Sequence, residues 1–250
     1  MSDLIAGAEP FSAAGGPAGA LVLHGFTGNP GSMRPLAEAF AAAGFTVELP
    51  RLPGHGTTLQ DMATTGFEDW SSHVEATYAD LAARCDRVVV AGLSMGGTLT
   101  CWLAARHPEI AGIVCINAAV QAQNAQVLEM VQAMLDAGET VTAAVGSDIA
   151  DPDVTESAYD GSPLASAKSL FLALGDLQAA LPTIACPVLI MTSPQDHVVP
   201  PEGSDHLAAL VAGPVERVTL ERSYHVATLD YDRELICERA VEFARKVTAS

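Results

Sequence analysis

Basic residues are scarce in this chain: 12 Lys and Arg stand against 30 Asp and Glu, for a net charge of −18. A surface that reads phosphates needs Lys and Arg in excess, so the balance argues against nucleic acid or an anionic membrane as partner. Long apolar runs are missing as well. No uninterrupted stretch approaches the ~20 residues of a membrane-spanning helix, so no integral membrane segment is expected. The N-terminus carries Asp3 and Glu9 and has neither a basic region nor a long apolar stretch, which does not fit a signal peptide. Paired cysteines are also absent. The five stand at 85, 101, 115, 186 and 237, an odd number with no C-x-x-C spacing. Most lie inside apolar segments, as buried reduced thiols of a cytoplasmic protein would. There is no H-E-x-x-H, no clustered Cys/His set, no Walker loop, no Rossmann glycine pattern and no internal repeat. Neither a metal nor a nucleotide nor any other cofactor is expected.

What is present is a foldable balance, 49% apolar and 17% charged over 250 residues, enough for one core and a small insertion. Short runs of Val, Ile and Leu predict strands at 19–23, 45–49, 86–91, 110–117, 187–193 and 215–220. Between them, helical spacing covers 31–43, 67–84, 95 to about 107 and 231–247. The first 18 residues, rich in Ala, Gly and Pro, read as a loose arm or short edge structure. Alternation of this kind implies a mostly parallel sheet with helices on both faces. The alternation fails from about 119 to 183, where helical patterns and polar loops occur without a convincing strand. Residues 120–182 are therefore expected to form a cap over the carboxyl edge of the sheet, with 1–119 and 183–250 as the core. Ligands bind at that edge in open α/β sheets.

The strongest local signal is Gly92-Leu93-Ser94-Met95-Gly96, directly after the run Arg87 to Ala91. A buried strand that ends in Gly-x-Ser-x-Gly and opens a helix places its serine on a sharp, exposed corner, and the flanking glycines remove Cβ atoms that would clash. A serine hydroxyl needs a base to act as a nucleophile. In the chain order Ser, acid, His the base follows the last strand, which selects His225, and the acid follows the strand before, which selects Asp196. Asp196 would orient the imidazole and stabilise the imidazolium. Asp205, Asp230 and Asp232 sit within or beside expected helices and rank below it. His197 is read as a neighbour of the acid that points elsewhere. An oxyanion hole needs two backbone N–H donors; Met95 follows the nucleophile, and Phe26 sits in the turn after the first strand. His24 is read as packing beneath the site.

Five motifs together carry a resemblance: His-Gly-Phe-Thr-Gly (24–28), Pro-Gly-His-Gly (53–56), Gly-Leu-Ser-Met-Gly-Gly (92–97), Asp-His-Val-Val-Pro-Pro (196–201) and Ser-Tyr-His-Val-Ala-Thr-Leu-Asp (223–230). Over roughly 19–248 the chain resembles the bacterial monoacylglycerol lipases and, more loosely, small carboxylesterases. The resemblance implies the α/β-hydrolase fold with a compact cap, a triad of Ser94, Asp196 and His225, and Phe26 and Met95 as the oxyanion hole. It implies a lipid or ester substrate, with the acyl chain under an apolar cap and a broad chain-length preference. Glu156 stands at a family-like position for accepting hydrogen bonds from glycerol hydroxyls; by residue type alone it is equally a solvated cap carboxylate. A general short-chain carboxylesterase is the alternative within the class. Dehalogenases and epoxide hydrolases of this fold carry Asp at the elbow, so Ser94 argues against them. A non-catalytic binding protein on the same fold would be expected to lack a triad member.

Overall fold

The computed structural model describes residues 3–144 and 147–249; the outermost part of the expected N-terminal arm and two residues of the expected cap lie outside them. Seven strands form one sheet in the order β1-β3-β2-β4-β5-β8-β9. They are β1 (Phe11–Ala13), β2 (Ala18–Leu23), β3 (Thr46–Leu49), β4 (Arg87–Leu93), β5 (Gly112–Ile116), β8 (Val188–Thr192) and β9 (Val215–Thr219). All neighbours run parallel except β1, which pairs antiparallel with β3 at the edge. The remaining pair, β6 (Val141–Ala143) and β7 (Gly161–Pro163), forms a separate antiparallel ladder.

Alternate residues along a strand point to opposite faces, and here each face feeds its own core layer. Leu21, Leu23, Val88 and Val90 pack under α3 (Phe67–Ala82), α4 (Met95–Ala104), α6 (Leu164–Ala180) and α7 (Glu202–Leu210). Ala20, Val22, Val89 and Ala91 pack under α1 (Arg34–Ala42) and α8 (Arg233–Thr248). The central strands are buried on both sides, which is why they read as continuous apolar runs with no alternation.

Several elements differ from the sequence expectation. The segment 119–183 does contain strand: β6 and β7 pair from Val141 opposite Pro163 to Ala143 opposite Gly161. At three residues each, with Gly and Pro in one of them, they carry no readable period. One short helix, α2 (Leu59–Met62), was not expected, while Asp205 lies in a helix, α7, as read. The helix expected from 31 is divided, because Asn29 Oδ1 accepts the Gly31 N–H at 2.9 Å and caps a 3-10 turn, Pro30–Met33, before α1 begins. The final helix starts at Arg233, after a turn in which Asp230 and Asp232 occupy backbone N–H groups.

The inserted segment holds α5 (Ala125–Asp136), the β6–β7 ladder and α6. Leu164–Thr183 is the one helical stretch among the described residues long and apolar enough to cross a membrane. Its Leu164, Leu170, Leu174 and Leu177 are buried, three of them in the core layer beneath α3 and α4. That burial accounts for part of its apolar composition; Leu172, by contrast, is half exposed.

Candidate active site

The carboxyl ends of the parallel strands converge on one place. The loop after β2 carries Phe26, β4 runs into Ser94, Asn117 directly follows β5, β8 leads to Asp196, and β9 to His225. Among the described residues, three non-glycine positions have positive φ, and all lie at this edge: Thr27 (63°), Ser94 (56°) and Asn117 (42°). Such conformations cost of order 1–3 kcal/mol each and persist where surrounding structure enforces them.

At Ser94 the enforcement comes from close backbone approach. A Cβ on Gly92 would lie 2.1 Å from the Gly96 carbonyl oxygen, and one on Gly96 would lie 2.2 Å from that of Leu23. Neither position accepts a side chain, so the strand can turn directly into α4 only with glycine on both sides. The Ser94 N–H donates to the Ile116 carbonyl at 3.1 Å, and its own carbonyl accepts the N–H groups of Thr98 and Ala119, each at 3.2 Å. Met95 is the first residue of α4, so its N–H has no acceptor within the helix.

His225 and Asp196 come together across 29 residues. Asp196 Oδ2 lies 2.7 Å from His225 Nδ1, with side chains only 2% and 8% exposed. The other oxygen, Oδ1, accepts the N–H groups of Val198 and Val199, each at 2.8 Å. Asp196 is thereby held as an acceptor, which requires the imidazole to carry its proton on Nδ1 and leaves Nε2 for a second partner.

Ser94 and His225 line one cavity of about 430 Å³, together with Phe26 and Glu156. Its remaining wall is largely apolar, with Met130, Val131 and Met134 from α5 and Leu170, Phe171 and Leu174 from α6. The inserted segment thus supplies much of the apolar wall together with Glu156, and the core supplies Ser94 and His225. The Gly25 turn is packed against Ser94, since a Cβ built on Gly25 would sit 3.5 Å from the Ser94 Cβ. Glu156 faces Gly28, its Oε1 being 2.9 Å from where a Gly28 Cβ would lie. Burial raises the Glu156 pKa, opposed by the charge of His225 and a hydrogen bond from Ser32.

Beneath the Phe26 loop lies a cluster of four rings. His24 and His55 stand 5.1 Å apart, and Trp70 is 5.4 Å from His55 and 5.8 Å from Phe26. His24 donates from Nδ1 to the Gly25 carbonyl and accepts the Leu52 N–H at Nε2, so it is a neutral, structural imidazole. His55 donates from Nδ1 to the Pro53 carbonyl. Burial drives both pKa values down, that of His55 to about 4.

Two residues at the site escaped sequence reasoning. Asn117 binds the loops of Asp196 and His225 at once: Oδ1 accepts the Ser193 N–H at 2.8 Å, and Nδ2 is 2.9 Å from the His225 carbonyl. Asp148, from the inserted segment, accepts the His225 N–H at 3.0 Å. Neither belongs to a chemical motif; the faint signal for Asn117 was its place at the end of an apolar strand. His197, beside Asp196, turns to Asp148 at 2.8 Å and stacks edge-on against Tyr224. Of the rivals, Asp230 and Asp232 are buried turn carboxylates that accept backbone N–H groups, and Asp205 pairs with Arg217.

The profile of the alpha/beta hydrolase family matches residues 20–239. A thermostable monoacylglycerol lipase of Bacillus sp. (strain H-257) is 50% identical over 246 residues, covering 97% of this chain and 96% of its own. A carboxylesterase of Bacillus subtilis (strain 168) is 28% identical over 241 residues, covering 96% and 97%. Among solved structures, one from work on the metagenome-derived lipolytic enzymes LipS and LipT superposes with a TM-score of 0.93. It is 44% identical and covers 98% of this chain and 100% of that chain. A monoacylglycerol lipase of Paleococcus ferrophilus shares the fold, with a TM-score of 0.79 at 19% identity, over 97% of this chain and 99% of that one.

Proposed function

The chain belongs to the alpha/beta hydrolase family, and from that premise we propose that it hydrolyses carboxylic esters, with monoacylglycerol as substrate and fatty acid and glycerol as products. One observation carries the reading: a buried His225–Asp196 pair opens on the same apolar cavity as a strained, glycine-flanked serine. Ser94 Oγ attacks the ester carbonyl while His225 Nε2 takes its proton. Asp196 holds the tautomer and stabilises the imidazolium. The N–H groups of Phe26 and Met95 receive the developing oxyanion, each donor contributing about 3–4 kcal/mol of transition-state stabilisation. His225 protonates the departing alcohol, then deprotonates a water that releases the acid from Ser94. No step needs a metal or a cofactor.

Residues 120–182 act as the cap, and the cavity wall from α5 and α6 supports this. An acyl chain lies along Met130, Val131, Leu170 and Phe171. The glycerol end meets Glu156, beside Gly28 and close to His225. The 50% identity to a monoacylglycerol lipase over nearly the whole of both chains favours this substrate class. The 28% identical carboxylesterase favours a general short-chain esterase as the second reading. All five cysteines are free, which fits a cytoplasmic setting.

A panel of monoacylglycerols, di- and triacylglycerols and methyl esters of the same acid separates the two. Higher kcat/KM on monoacylglycerol is expected. Equal or better rates on methyl esters would remove the glycerol-specific reading and leave the esterase.

A further inference from the structure

Asp148 lies in the inserted segment, yet its carboxylate is joined to the two loops that carry the acid and the base. Oδ2 accepts the His225 N–H at 3.0 Å and the His197 N–H at 3.1 Å, and Oδ1 lies 2.8 Å from His197 Nδ1. The Asp148 carbonyl accepts the Val226 N–H at 3.0 Å. Just beyond it, the N–H groups of Ala150 and Asp151 donate to the Asp230 carboxylate, which also accepts the N–H of Tyr224 at 2.9 Å. The strap 148–151 is thus sewn onto the histidine turn by four hydrogen bonds, two of them made by Asp148 itself.

The main chain of His225 is fixed on both sides in this way. Its N–H is held by Asp148 and its carbonyl by Asn117 Nδ2 at 2.9 Å. The imidazole meets Asp196 at Nδ1 and lines the same cavity as Ser94, and the direction of the ring depends on where the backbone of residue 225 sits. Asp148 is a carboxylate with a side chain only 14% exposed. Burial alone would raise its pKa, but the His197 side chain and the N–H groups of His197 and His225 outweigh that and hold it below the usual value. Asp148 is therefore favoured as a charged acceptor.

We propose that Asp148 is a positioning residue for the catalytic base: it fixes the main chain of His225 and, through His197, the neighbouring acid loop. Acyl transfer thus depends on a side chain of the inserted segment that does not line the substrate cavity. The proposal rests on the reading of His225 as base. A misplacement of a catalytic group by about 1 Å costs on the order of 100-fold in rate, which sets the scale of the effect.

The test compares Asp148→Ala, Asp148→Ser and Asp148→Asn with wild type on a monoacylglycerol, alongside His225→Gln. Shortening to Ala or Ser should lower kcat by about 10- to 100-fold and leave KM within about twofold. Asn keeps an acceptor oxygen at the same reach and should return kcat to within about fivefold of wild type. A merely structural residue would lose kcat in step with folded fraction, so each rate is referred to folded protein measured by circular dichroism. Wild-type kcat per folded molecule in either shortened variant, or a loss confined to KM, overturns the proposal. So does an Asp148→Asn protein that folds like wild type yet loses much more than fivefold in kcat. If His225→Gln retains wild-type turnover, the triad reading falls and takes the proposal with it. If it is inactive while Asp148→Ala is unimpaired, only the role of Asp148 falls.

Discussion

Replacing His55 by Phe should make the protein more resistant to acid, although it removes a hydrogen bond. His55 is fully buried among His24, Phe26 and Trp70, and burial lowers its pKa from 6.5 to about 4. Above pH 6.5 the imidazole is neutral in both folded and unfolded chains, so it contributes no pH dependence. Below 6.5 the unfolded chain takes up a proton that the folded protein refuses, and stability is lost until the pH passes the folded value near 4. From those two pKa values the loss due to His55 is about 2 kcal/mol at pH 5 and about 3 kcal/mol at pH 4. Phenylalanine suits a cluster of edge-on rings and does not titrate. The hydrogen bond it forfeits leaves no orphan, because the Pro53 carbonyl also accepts Trp70 Nε1 at 3.1 Å and Thr65 Oγ1 at 3.3 Å. The cost at neutral pH is therefore about 1 kcal/mol. Urea unfolding of both proteins at pH 7 and pH 5 gives the answer. His55→Phe should be the less stable protein at pH 7 and should close or reverse the gap at pH 5. The carboxylates titrate equally in both proteins and drop out of the difference. A stability difference that stays the same at the two pH values would refute the claim that His55 is a buried neutral imidazole.

Three other expectations follow from the site. Asp196→Asn should lower kcat on the order of 10³- to 10⁴-fold in steady-state assays, because an amide in place of Oδ2 no longer fixes the imidazole tautomer. Gly96→Ala should cost about 1–3 kcal/mol in urea titrations and reduce kcat as well, since its Cβ would lie 2.2 Å from the Leu23 carbonyl oxygen and push on the strand that leads to Phe26. Glu156→Gln should lower kcat/KM on monoacylglycerol by about 10- to 100-fold and leave methyl esters within about twofold, the scale of hydrogen bonds to a charged group; an equal effect on both substrates would make Glu156 a structural carboxylate.

The parts of the fold that were legible in the sequence are those with a hard local constraint. A doubly buried parallel strand must be apolar throughout, so β2, β4, β5 and β8 stood out. The turn at Ser94 tolerates only glycine at 92 and 96, so it left a motif. His225 and Asp196 had no motif of comparable strictness; chain order brought them forward, because a parallel sheet sends the loops after successive strands to one edge. The β6–β7 ladder was illegible, since three residues per strand hold less than two periods. Asn117 and Asp148 were illegible for a different reason. Each is a single polar residue whose partners, Ser193, His225 and His197, lie far along the chain and become neighbours only when the sheet is assembled. The division of the 31–43 helix depended on one side-chain cap at Asn29, a choice that helical spacing does not record.

Everything about the chemistry turns on Ser94 as the nucleophile. The direct measurement is labelling with a fluorophosphonate ester, peptide mapping by mass spectrometry, and turnover of monoacylglycerol on the same samples. A single adduct is expected on the peptide that contains Ser94, with activity falling in proportion to labelling. Ser94→Ala should take no label and turn over at least about 10⁵-fold more slowly than wild type. An adduct on another residue, or a Ser94→Ala protein that cleaves monoacylglycerol at the wild-type rate, would contradict the account.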